Sequence, residues 1–231
     1  MLHQNIPSNI GKTNVDTERS AVGSLVEFLD ERLPQFPQFF KKQTTTKKIE
    51  AEKKISRELC LFLNDIKNPN RISLFHFYPE WDYEKSHRSS DFGVIDVRTY
   101  TDSKPTEAFF VIEAKRLPTP LTGREREYVE GDLGGIERYK RGHHGNGLLV
   151  SGMIGYIQDK NNCNHWYQEI NKWIDNLIKT NTASDIFWDN TDLLKKSKDL
   201  TITSKYTSKN TRIVGKKQDF INLYHYLIEL N

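Results

Sequence analysis

The stretch Phe109-Phe110-Val111-Ile112-Glu113-Ala114-Lys115-Arg116-Leu117 limits what this chain can fold into more than any other. It opens with four consecutive large apolar residues, the pattern of a strand covered on both faces inside a sheet. Strand side chains alternate, so the carboxylate of Glu113 and the ammonium of Lys115 share one face. A covered strand that ends with opposite charges side by side is costly unless each is paired or metal-bound, because both lose their water. That cost makes the pair a candidate functional site.

The segments around it supply partners. Lys47 to Asn64 runs without Gly or Pro, can be capped by Thr44, Thr45 or Thr46, and ends before the turn Asn68-Pro69-Asn70. Projected as a helix, Ala51, Ile55, Leu59, Phe62 and Leu63 form one apolar face, with Glu52 near its middle. A carboxylate there either meets a buried partner or rims the core. Ile72 to Tyr78 is β-rich, Pro79 to Ser90 is polar, and Asp91 to Val97 reads as a second strand. Asp91 and Asp96 are five apart, so on a regular strand they face opposite sides and only one can join Glu113. Gly123 to Arg141 is charged and helical in character, with Gly142 as its C-cap, and Gly147 to Ile157 reads as another buried strand. Strand, helix and strand in that order make a right-handed crossover.

The remaining segments read as packing and surface. Ala21 to Leu33 is a packing helix, and His165 to Thr180 is an amphipathic helix whose Trp166 and Trp173 belong to the core. Lys195 to Lys217 carries eight basic residues against Asp199, either a phosphate-binding edge or a solvated face. Phe220 to Leu230 fits a strand or a helix. His143-His144 lies in a glycine-bounded loop without the spacing of a zinc site. The chain reads as a polar, flexible 1–17 followed by one α/β domain over 18–231, with its core at about 44–160 and a C-terminal helical and basic extension. Cys60 and Cys163 have no metal-ligand spacing and no run is long enough to cross a membrane, so the expected setting is the reducing cytoplasm. A net charge of +3 is too mild to establish a nucleic-acid partner by itself.

Glu113-x-Lys115 resembles the last motif of the PD-(D/E)xK nuclease superfamily, in which an acidic residue, a spacer, and then Glu or Asp, any residue and Lys share a site. Asp91-Phe92-Gly93-Val94-Ile95 resembles the acidic residue that leads into an apolar strand, which favours Asp91 over Asp96. Glu52 matches the acidic residue that members often carry on the first core helix. The resemblance covers roughly residues 47–157. It implies a restriction endonuclease-like three-layer core, a mixed central sheet flanked by helices. It also implies a Mg²⁺- or Mn²⁺-dependent phosphodiester hydrolase acting on nucleic acid, DNA favoured over RNA, in restriction, repair or phage defence. On that resemblance Glu52, Asp91, Glu113 and Lys115 are catalytic, and Asp91, Glu113, Glu52 and the Ala114 carbonyl hold the metal. Arg138 and Tyr139 are the helix residues that reach the substrate. The Gln-x-x-x-Tyr form of one subgroup is absent, since Gly135 stands four before Tyr139. A homodimer or a defence-system partner fits this reading, and the alternative is a non-catalytic nucleic-acid-binding or interaction module on the same fold.

Overall fold

The computed structural model describes residues 15–43, 50–64, 74–83, 88–96, 108–120, 122–131, 134–180, 186–200, 203–214 and 217–231. At its centre is β3 (Phe110–Leu117), in which every residue but Arg116 is buried. An apolar run of this length needs cover on both faces and a neighbour on each side. The neighbours are β2 (Arg88–Asp96), antiparallel to it, and β4 (Val150–Ile157), parallel to it. With β1 (Phe75–Tyr83), β5 (Lys195–Leu200), β6 (Thr203–Val214) and β7 (Lys217–Glu229) they form a seven-stranded mixed sheet in the order β1-β2-β3-β4-β7-β6-β5. Only the β3–β4 and β4–β7 pairs are parallel.

Alternation divides the core in two. Phe110, Ile112 and Ala114 of β3 pack with Ile154 and Tyr156 of β4 against Leu25 and Leu29 of α1 (Val15–Arg32), Phe36 and Phe40 of α2 (Phe36–Gln43) and Ile55, Leu59 and Leu63 of α3 (Glu52–Asn64). The odd-numbered Val111 and Leu117 pack with Met153 and Ile157 against Ile136 of α4 (Gly135–Lys140) and Ile170 and Ile174 of α5 (Cys163–Thr180). Helices therefore cover both sheet faces, and Glu113 and Lys115 belong to the α4 face. Gly135 lets α4 lie close to that face: a Cβ there would collide with the Met153 side chain and press on the Tyr128 carbonyl.

Several expectations change. The charged helix expected over 123–141 is a set of turns followed by the short α4. Gly123 and Gly131 adopt φ of +83° and +104°, which a continuous helix cannot contain. The polar connection expected over 79–90 is partly strand, because β1 reaches Tyr83 and β2 begins at Arg88. The helix read from Ala21 starts at Val15, inside the segment expected to be flexible. Phe220 to Leu230 falls almost wholly in β7, paired with β4, so the sheet extends well past the core expected at 44–160. Some of the tail cations are used internally. Lys205 pairs with Asp30 at 2.7 Å, and Arg212 holds Asp219 through two nitrogens at 2.6 and 2.9 Å.

His225 lies between β4 and β6 with no exposure. Its Nδ1 is 3.1 Å from the Tyr128 hydroxyl and its Nε2 is 2.8 Å from Ser208 Oγ, which also accepts from Asn210 Nδ2 at 2.8 Å. Asn210 donates to Ser208, and a neutral imidazole satisfies the other two contacts in either tautomer, as acceptor from one hydroxyl and donor to the other. Burial pushes the imidazole from its ordinary 6.5 down to about 3, so it is neutral in the folded protein. The unfolded chain takes up a proton below pH 6.5 that the folded chain refuses until about pH 3. This residue's contribution is therefore intact above pH 6.5 and is lost as pH falls, by up to about 1.4 kcal/mol per pH unit. Urea denaturation between pH 8 and 5 should show stability falling with pH, and the slope should become smaller in His225→Gln. An unchanged slope in the variant would contradict the assignment.

Candidate active site

Glu113, 1% exposed, sits where four chain segments meet. Its Oε1 accepts from Lys115 Nζ at 2.8 Å and from Arg138 Nη1 at 3.0 Å, while its Oε2 is 3.5 Å from His144 Nε2. On the other side of Lys115, its Nζ lies 3.7 Å from Glu52 Oε1 and 4.0 Å from Glu127 Oε1. Arg124 pairs with the same Glu127 oxygen.

Each contributor is fixed from behind. Glu52 opens α3, and its Oε2 accepts from the Arg116 backbone N–H at 2.9 Å, which ties the start of the helix to the end of β3. The Arg116 side chain and Gln158 both donate to the Glu50 carbonyl, at 3.2 and 3.1 Å. Arg138 rides on α4, which is held to the sheet by the Tyr139 hydroxyl donating to the Gly152 carbonyl at 2.9 Å. His144 follows α4, and Arg212 reaches from β6 to the Gly145 carbonyl at 2.9 Å to hold that loop. Glu127 is positioned by its neighbour Tyr128, the residue bonded to His225.

Burial and charge act in opposition here. Burial pushes the Glu113 carboxyl up, but Lys115, His144 and Arg138 together with the Lys115 hydrogen bond outweigh it and hold it below the usual carboxylate range. His144 is itself pushed down to about 4 by burial, against the pull of Glu113. It is therefore neutral at pH 7, and the anion at Glu113 is balanced by Lys115 and Arg138. Glu52 is raised: burial exceeds the opposing effects of Lys115 and the Arg116 N–H, and Glu113 and Glu127 add to the rise.

Of the residues expected at the site, Glu52, Glu113, Lys115 and Arg138 come together. Asp91 lies on β2 beside Phe92, the β2 residue in register with Ile112 of β3; its side chain is outside the described residues. Asp96, expected on an outer face or paired with Arg98, is buried; Arg98 is outside the described residues. Ala114 is buried within the β3–β4 ladder, in register with Ile154. Tyr139, expected to reach the substrate, has no exposure and spends its hydroxyl on the sheet backbone. Its ring is needed against Val111 and Met153 in the core, which leaves Arg138 as the helix residue at the site. Glu127 and His144 were not expected there. Glu127 was hidden in a segment charged on both signs, whereas a histidine in a glycine-bounded loop was a signal available in the sequence.

Among the described residues no group of three or more His, Cys, Asp or Glu is arranged to hold a metal ion. Glu52 and Glu113 present carboxylate oxygens on either side of Lys115, whose ammonium stands between them. A carboxyl raised by burial, as at Glu52, is one that a cation would stabilise in its charged form. The chain matches no family model, no curated protein and no solved structure.

The geometry ranks the cost of breaking the cluster. Glu113→Ala leaves Lys115 and Arg138 facing each other without their anion, and should cost about 3–5 kcal/mol, as for removal of one partner of a buried pair. Lys115→Ala leaves Arg138 on Glu113 and should cost less. Urea denaturation of both variants tests this order; equal or reversed costs would contradict it.

Proposed function

We propose that this chain is a PD-(D/E)xK-type nuclease with a restriction endonuclease-like core, hydrolysing phosphodiester bonds with Mg²⁺ or Mn²⁺. The observation that carries the reading is the buried Glu113–Lys115 pair on β3, with Glu52 brought to the same ammonium from α3. The order α3, β1, β2, β3, α4, β4 and the place of Asp91 on β2, beside the paired Phe92, add support. Nucleic acid is the substrate, DNA in preference to RNA, and a restriction, repair or phage-defence role follows from the same resemblance, with a second copy or a defence-system protein as the partner. The setting is cytoplasmic, where Cys60 and Cys163, both buried and free, stay reduced. Among the described residues no helix is long and apolar enough to cross a membrane.

A phosphodiester repels an attacking hydroxide through its own charge, so a catalyst must place cations around the phosphoryl group and orient a water. Asp91, Glu113, Glu52 and the Ala114 carbonyl would hold the metal ion, which when bound neutralises phosphate charge and acidifies water. Lys115 donates a hydrogen bond that orients the attacking water. Arg138, released from Glu113 as the phosphate enters, stabilises the charge that develops on the phosphoryl oxygens. Glu52 holds Lys115 in place from the far side.

The second reading is a nucleic-acid-binding or interaction module without catalysis. It is favoured by one feature: Glu113 Oε1 is already engaged by two cations at 2.8 and 3.0 Å. Cleavage assays on duplex, single-stranded and RNA substrates with Mg²⁺, Mn²⁺ or EDTA separate the two. Metal-dependent cleavage that drops at least about 100-fold in Glu113→Gln and in Lys115→Ala is expected, on the scale of removing one oriented electrostatic group. Binding without cleavage in every lane would establish the module instead.

A further inference from the structure

Next to the Glu113–Lys115 site is a cleft of ≈ 650 Å³, within the range of small-molecule pockets, between the turn at 122–131 and α5. Glu127 belongs to both places: it lines the cleft, and its Oε1 is 4.0 Å from Lys115 Nζ. One wall is the half-buried Trp173, whose ring is 6.1 Å from that of Trp166, which backs it in the core. Gly123, Gly131 and Gly134 line the cleft without side chains to fill it, and a Cβ at Gly123 or Gly131 would meet nothing within 4 Å. The charged lining holds Glu125, Glu127 and Glu130 against Arg124 and Arg126; the ion pairs Arg124–Glu127 and Arg126–Glu130 balance four of these charges and leave one negative charge in excess. Such a lining is a poor track for phosphates. It suits a flat aromatic ring that carries amino groups.

Building on the nuclease reading, we infer that this cleft is a subsite for one nucleobase of the substrate, stacked on Trp173 with its amino group directed to the glutamates, and that the substrate is single-stranded there. A base inside a duplex is stacked and paired and cannot enter such a cleft, whereas an unpaired one has both faces and its edge free. The phosphate adjoining that base then falls toward Lys115 and Arg138, beyond Glu127. Cytosine, adenine and guanine carry the amino group, so a strand of cytosines binds better than a strand of thymines.

The test is fluorescence anisotropy with labelled ten-nucleotide strands in EDTA, using the full chain. An oligocytidine strand should bind at least ten times more tightly than the same strand annealed to its complement. Trp173→Leu, checked by circular dichroism, should weaken single-strand binding at least fivefold and leave duplex binding unchanged. Equal affinity for the two forms, or a single-strand affinity that Trp173→Leu does not alter, overturns the inference. So does displacement of no strand but tight binding of an arginine-rich peptide, which would assign the acidic, aromatic cleft to a protein partner. If Trp173→Leu does not fold, the wild-type chain irradiated with a strand carrying 5-iodocytosine decides: a crosslink at Trp173 supports the subsite, and crosslinks elsewhere only overturn it. Glu113→Gln separates this inference from the nuclease reading, because it should abolish cleavage and retain the preference for single strands.

Discussion

Two opposite charges taken out of water beside one another on β3 set the terms for the rest of the molecule. Glu113 is nearly inaccessible, and an anion so placed persists only while cations reach it, because the Coulomb attraction must offset the loss of hydration. Lys115 comes from the same strand, Arg138 from α4 and the neutral His144 from the loop beyond it. Lys115 in turn engages Glu52 from α3 and Glu127 from the 122–131 turn. These segments lie far apart in sequence and on different sides of the sheet, yet each ends at the same few ångströms. The supports behind them, Arg212 on Gly145, Tyr128 on His225 and the Arg116 N–H on Glu52, keep side chains that meet there from drifting apart.

How much of this could be seen beforehand follows from the range of the forces involved. β3, β4, α3 and α5 were legible because apolar periodicity is a local property, and Glu52 stood out as a carboxylate on an otherwise apolar helix face. Parity along the strand showed that Asp91 and Asp96 face opposite sides, but the preference for Asp91 came from resemblance, and the β2–β3 pairing reaches only its neighbour Phe92. The choice between Arg138 and Tyr139 was not local: a buried tyrosine and an exposed one look alike until the Gly152 carbonyl is known to be within reach. In the tail, composition told only part of the outcome for a similar reason: Lys195, Lys196 and Lys209 are exposed, but Lys205 is not. A run of lysines looks like a solvated or phosphate-binding edge, but Lys205 meets Asp30 across 175 residues of sequence, and nothing near either residue announces it.

The two buried histidines show how one environment yields different roles. His225 and His144 are both kept neutral by burial, at about 3 and about 4. His225 has hydrogen-bonding partners at both nitrogens and serves to join the sheet to the turn that carries Glu127. His144 has an anion beside it and two cations beyond that anion, so the field it experiences is set by the candidate site itself.

The position of β7 has a consequence for how the molecule is made. It follows β6 in sequence, yet it lies between β4 and β6, and Tyr226 on it donates to Asp30 of α1. While the ribosome is still adding residues, β1 to β4 can assemble, but one edge of β4 waits with its backbone groups unpaired. That edge is apolar and regular, the kind that pairs with whatever strand arrives first. A nascent chain halted before β7 therefore carries an open, adhesive edge, and correct folding depends on synthesis running through the β6–β7 hairpin before another chain finds it.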